Sequence, residues 1–159
     1  MNTLVFSGKM LVWLDYLRSQ WASPMPHSRE VLSTLSSGGV ALGAVTDMSR
    51  GAYFRLRRRI GFLGDSFNVV VTRSDLRRTK PSPEGILLAL AKLGFTPQEA
   101  AYVGNMPSDV AAGSAAGVTT IMMPGKLKPY LVGYNQVRPD YVIHDLREVV
   151  AIVLGSKPS

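Results

Sequence analysis

From His27 onward, short all-apolar runs alternate with segments whose apolar residues recur at helical spacing. Val40–Thr46 (VALGAVT) predicts a strand and Ser49–Ile60 a helix. Phe67–Thr72 (FNVVVT) is rich in β-branched residues and predicts a second strand. Ser82-Pro83-Glu84 then opens a helix, with a capping hydroxyl, a proline at the first helical position and an acid in the first turn. Ile86, Leu87, Leu90, Ala91 and Leu93 give that helix its apolar side, and Gly94 closes it. Thr96-Pro97-Gln98-Glu99 has capping-box spacing and predicts a further short helix. Ala101–Gly104 and Val118–Met123 read as strands flanking a small-residue helix, Ser108–Ala116. Pro124–Pro139 reads as a loop, Tyr141–Ile143 as a last strand and Asp145–Leu154 as a last helix. The first 26 residues are the least regular: Thr3–Phe6 suits a short strand, and Met10–Trp21 a helix carrying Leu11, Leu14, Leu17 and Trp21.

Strands that are nearly all apolar and alternate with helices predict an α/β fold, a doubly wound, mostly parallel sheet covered on both faces. The 159 residues fit a single core over 27–154, preceded by a short segment, 1–26, and followed by a tail, 155–159. With 46% hydrophobic residues the chain has enough apolar surface to offset the entropy of ordering. There is no cysteine, which excludes disulfides and thiolate metal sites. No apolar run approaches the roughly 20 residues of a membrane span. Lys9 followed by Met10–Leu14 loosely imitates a signal peptide, but Asp15 and Arg18 interrupt it, so the expected location is cytoplasmic. The net charge of +7 would help attract phosphate-bearing substrates or nucleic acid, or is simply a basic surface with no specific partner.

In an open parallel sheet, ligands bind beyond the carboxyl ends of the strands. There the sequence places Thr46-Asp47-Met48-Ser49, a basic loop from Arg73 to Lys80, and Gly104-Asn105-Met106-Pro107-Ser108-Asp109. A hydroxyl, a lysine and an Asn/Asp pair at one edge are the groups expected around a phosphate and a divalent cation.

These residues carry a resemblance. The stretch from Arg29 to Val153 resembles the core of the haloacid dehalogenase-like (HAD) hydrolases, in particular the phosphoglycolate-phosphatase/β-phosphoglucomutase-like branch. GVALGAVT, ending in Thr46, is similar to the family's second motif. TKPSPEGILLAL, with Lys80, is similar to the third, YVGNMPSDVAAGSAAG to the fourth, and PDYVIHDLREVVAIV to the last strand and helix. The resemblance implies that Thr46 and Lys80 bind phosphate, that Asp47 and Arg73 contact substrate, and that Asp109 with Asn105 holds Mg²⁺.

It also exposes what is missing. Family members attack phosphorus with an aspartate at the end of the first strand and use a second aspartate as acid/base, in the pattern Asp-x-Asp-Gly-Thr. No such pattern occurs here. If Thr3–Phe6 is the first strand, Ser7 takes the nucleophile position and Lys9 that of the acid/base. Asn105 replaces a metal-binding aspartate, so any Mg²⁺ site is weak or lost. Only Leu11 to Val40 separates the first motif from the second, too little for the helical cap that this branch carries.

The expectation is therefore a phosphatase-family protein, catalytically impaired or inactive, that keeps a remnant site for a small phosphorylated metabolite, if any. The alternative is a non-enzymatic basic module that binds nucleic acid or an acidic partner. The chain is either a self-contained reduced domain or a truncated product of an active phosphatase, with half of a complementing pair as a third possibility. Plainer roles stand beside these. Thr46 could bond only its own turn, Lys80 could sit in a solvated loop, and Asp109 could simply cap a helix. Arg55, Arg57, Arg58 and Arg59 suit a helix C-terminus in solvent or a nucleic-acid surface, with Tyr53 and Phe54 as packing residues. His27 and His144 have no partner spacing that suggests a metal.

Overall fold

The computed structural model describes residues 10–13, 24–124 and 138–155. Six strands, β1 (Met10–Trp13), β2 (Ala41–Val45), β3 (Val69–Val71), β4 (Ala100–Gly104), β5 (Thr119–Met122) and β6 (Tyr141–Val142), form one sheet in the order β3-β2-β1-β4-β5-β6. Every neighbouring pair is parallel. The helices are α1 (Ser28–Ser37), α2 (Arg50–Arg59), α3 (Leu63–Ser66), α4 (Glu84–Leu93), α5 (Pro107–Ala116) and α6 (Glu148–Leu154). Single 3-10 turns occupy Arg73–Asp75 and Pro97–Glu99.

This is the doubly wound α/β fold that the pattern predicts. The chain winds outward from β1 through β2 to β3, then returns to lay β4, β5 and β6 on the other side. The reversal between β1 and β4 is where such sheets open a crevice at their carboxyl ends.

The central strand is the exception to the sequence reading. Met10 is in register with both Ala41 and Ala100, and Trp13 with Val103. The stretch that reads as the start of a helix is therefore the middle strand. A run of four apolar residues is compatible with either element, and the open slot between β2 and β4 decides it. Thr3–Phe6 lies outside the described residues.

Elsewhere the elements follow from their residues. β2 and β4 are apolar throughout because both faces are covered. Leu42, Ala101 and Val103 turn toward α1 and α6, packing with Val31, Leu32, Leu35, Val149 and Val153. Val45, Ala100 and Tyr102 turn the other way, toward Ile86, Ala89 and Leu90 of α4 and Ala112 and Ala116 of α5. Ser49 caps α2 by accepting from the Ala52 N–H at 3.3 Å. At the predicted capping box, Glu99 accepts from the Thr96 N–H at 2.9 Å and from its hydroxyl at 2.7 Å. The element is a 3-10 turn because β4 begins immediately after it. Among the described residues no helix is long and apolar enough to cross a membrane.

α4 lies close against the sheet. A methyl group on Gly85 would stand 2.6 Å from Val45 Cγ1 and 3.2 Å from Leu76 Cδ1. Gly85→Ala is thus expected to destabilise the fold by about 1–3 kcal/mol through overpacking. Urea denaturation should show a lowered midpoint with an unchanged slope.

Candidate active site

Three chain segments leave the carboxyl edge of the sheet and are stitched together there. Thr46 follows β2 and is buried, its N–H donating to Val71 O at 2.9 Å. Its hydroxyl oxygen accepts from the Met48 N–H at 3.2 Å, which leaves the hydroxyl proton available to a ligand. The Arg73 N–H donates to Met48 O at 2.8 Å, and the Arg50 N–H donates to Ser74 Oγ at 3.1 Å. The Arg50 guanidinium pairs with Asp75. Asp75 also accepts from the Thr72 hydroxyl at 2.7 Å and the Thr72 N–H at 2.9 Å. These Thr72 hydrogen bonds, helped by Arg50, hold the Asp75 carboxyl down at about 2.

Lys80 comes from the second segment. Glu84, in the first turn of α4, accepts from the backbone N–H groups of Arg77 at 2.8 Å and Arg78 at 2.9 Å. Both bonds hold the carboxyl of Glu84 below its ordinary range. With the loop pinned this way, the Lys80 side chain is only 3% exposed. Its ammonium donates to Asp109 Oδ1 at 2.8 Å and lies 3.9 Å from Asp47 Oδ2. Lys80 is therefore not a solvated loop lysine.

Asp109, from the third segment, is 1% exposed and serves two purposes at once. Its Oδ2 accepts from the N–H groups of Asn105 at 3.0 Å and Met106 at 2.9 Å, closing the start of α5. Its Oδ1 takes Lys80 and, at a long 3.4 Å, the Tyr102 hydroxyl. Gly104 makes room for this arrangement: a Cβ there would lie 2.2 Å from Asp109 Cβ. The capping and site roles of Asp109 coexist, one on each oxygen.

The sequence-predicted site is thus assembled in part. Thr46, Asp47, Lys80 and Asp109 belong to one edge, with Lys80 joining the two aspartates. Arg73 is exposed, and its guanidinium donates to Leu76 O at 3.0 Å, so its backbone rather than its side chain serves the β2 loop. Ser7 lies outside the described residues, and it precedes β1 in the chain. The residues that follow β1 read Leu14-Asp15-Tyr16-Leu17-Arg18, with no second aspartate two places after Asp15.

Mg²⁺ does not fit Asp109 as it stands. An ionised carboxylate has about four acceptor positions, and four donors already point at this one. Among the described residues no three His, Cys, Asp or Glu side chains gather as a metal would need.

The pairing of Lys80 with Asp109 is invisible in sequence spacing, since the residues are 29 apart. Asp47 carries a further signal that only the structure reveals: its Oδ1 is buried without a hydrogen-bond partner. Away from the site, Arg55, Arg57, Arg58 and Arg59 are exposed along α2. Tyr53 packs inward as expected, but Phe54 is 50% exposed, because α2 meets the rest of the domain along one narrow face. His27 pairs with Glu30 at the surface, and the His144 N–H donates to Glu148.

Comparison with known proteins agrees with this geometry. Residues 12–123 match the model of the haloacid dehalogenase-like hydrolases. The chain belongs to that family. Over 124 residues it is 35% identical to the pyrophosphatase PpaX of Bacillus pumilus, covering 78% of this chain and 56% of that protein. It is 32% identical over 96 residues to a phosphoglycolate phosphatase of Salmonella paratyphi A, covering 60% of this chain and 38% of that protein. A HAD phosphatase from Thermococcus onnurineus superposes with a TM-score of 0.69 at 34% identity, over 80% of this chain and 56% of that one. The chain spans little more than half the length of the PpaX relatives it matches. Among HAD hydrolases it is thus a phosphatase-like member, with the strand-end motifs of Thr46, Lys80 and Asp109 in family order.

The stitch between the first two loops is open to a pH test. Asp75 is shifted down from 3.8 to about 2, so its ionised form stabilises the fold fully above about pH 4, and this contribution is lost as the pH falls toward 2. Asp75→Asn is expected to cost about 1 kcal/mol at neutral pH, as for the loss of a capping side chain. In thermal unfolding, the gap between variant and wild type should close across that acid window and stay constant above it.

Proposed function

We propose that this domain recognises the phosphate group of a small phosphorylated metabolite at the carboxyl ends of β2 and β4, and that its capacity for phosphate-ester hydrolysis is impaired. The observation that carries the reading is the buried Lys80 ammonium, held on Asp109 and 3.9 Å from Asp47, the residue after Thr46, at the edge where parallel sheets bind ligands. A hydroxyl donor and a fixed positive charge are the groups a phosphoryl oxygen requires. Family membership favours phosphate over other anions, and the relatives at hand are named as a pyrophosphatase and a phosphoglycolate phosphatase.

Impairment rests on chemistry. The family route needs a carboxylate nucleophile and a second carboxylate to move a proton at the leaving oxygen. These residues contain no Asp-x-Asp-Gly-Thr, and Asn105 stands where the family usually has a metal-binding aspartate. With both oxygens of Asp109 engaged, a divalent cation finds little to hold it there.

Incubating the purified chain with p-nitrophenyl phosphate and excess Mg²⁺ tests this directly. The expected rate of nitrophenol release equals that of buffer alone, with or without the metal. Mg²⁺-dependent turnover clearly above buffer would overturn the impairment and require a nucleophile other than the family pair.

A further inference from the structure

Asp47 stands out among the described residues. Its Oδ1 is buried and has no hydrogen-bond partner, the single buried side-chain oxygen or nitrogen of those residues in that condition. An ionised carboxylate oxygen can only accept, so the group is satisfied only when something brings it a proton or a positive charge. Lys80 does not supply this, because it lies 3.9 Å from the other oxygen, beyond hydrogen-bond range. That ammonium is committed at 2.8 Å to Asp109. Among the described residues the cluster counts one ammonium and two carboxylates, a sum of −1. An anion carrying only lone pairs would meet Asp47 as a like charge facing an acceptor-only oxygen.

We infer that Asp47 sets which anions this site accepts: its buried Oδ1 takes a hydrogen bond from a protonated phosphate oxygen. The site then admits hydrogen phosphate or a singly protonated phosphate monoester and turns away aprotic oxyanions of the same shape. This rests on the phosphate reading proposed above. The hydroxyl of Thr46 and the ammonium of Lys80 face the unprotonated oxygens, and Asp47 faces the P–O–H group. A site built around a hydrogen bond rejects the isostere that lacks the donor, because the buried acceptor is then left unpaired. The proton belongs to the ligand, so selectivity comes from the fixed position of the carboxylate.

Inorganic phosphate and sulfate make the test, since they match in size and shape but only phosphate retains a proton at neutral pH. Titration calorimetry on the full chain, at matched ionic strength, reads both affinities. Phosphate is expected to bind at least about tenfold more tightly than sulfate. In Asp47→Asn, whose amide can donate to any oxyanion, sulfate should tighten until the two differ by less than about threefold. Circular dichroism and the urea midpoint establish that the variant is folded. Equal affinities in the wild-type chain overturn this inference and leave the phosphate site standing. If neither anion binds the wild-type chain, the phosphate site itself falls, and the inference with it.

Discussion

The ion pair between Lys80 and Asp109 is the constraint around which the carboxyl edge of the sheet is organised. Lys80 leaves the half of the fold wound through β3, and Asp109 follows β4 in the other half, so the pair spans the reversal of strand order. Both side chains are almost wholly buried, with 3% and 1% of their surfaces exposed. A buried charge is tolerable only when its partner and its remaining hydrogen bonds are in place. That requirement explains the surroundings. Gly104 must lack a side chain, α5 must begin at Pro107 so that two amides reach Asp109, and Glu84 must fix the loop that delivers Lys80.

The same pair limits the chemistry. By satisfying Lys80, Asp109 gives up the free oxygen that a metal ligand would need, and the positive charge left for an anion is small. A phosphate bound here depends on complementary hydrogen bonds more than on net attraction. That gives Thr46 and Asp47 their weight in the proposed phosphate reading. The arginines of α2 add positive potential at longer range, and salt screens it beyond about 10 Å.

Much of this was legible in the chain. β2 and β4 are apolar runs between turn residues, and Thr96 with Glu99 announces its own hydrogen bonds. The order Thr46, Lys80, Asp109 resembles the family's motifs in the chain alone. The middle strand was not legible, because Met10–Trp13 continues into Leu14, Leu17 and Trp21 at helical spacing and only its neighbours in the sheet identify it. Arg73, a substrate contact by the resemblance, follows β3 and donates its guanidinium to Leu76 O, a bond with no local sequence signal. The bond between Lys80 and Asp109, and the unpaired oxygen of Asp47, depend on how separate loops meet, and no local pattern encodes that.

A double-mutant cycle on the ion pair tests the account most directly. Lys80→Met, Asp109→Asn and the double variant would be compared with the wild type by urea denaturation at neutral pH. If the pair organises the site, each single change is strongly destabilising, and the second costs much less once the first is made. The expected coupling is about 2–3 kcal/mol. Additive effects, with coupling within about 0.5 kcal/mol of zero, would show two independent side chains and contradict the account.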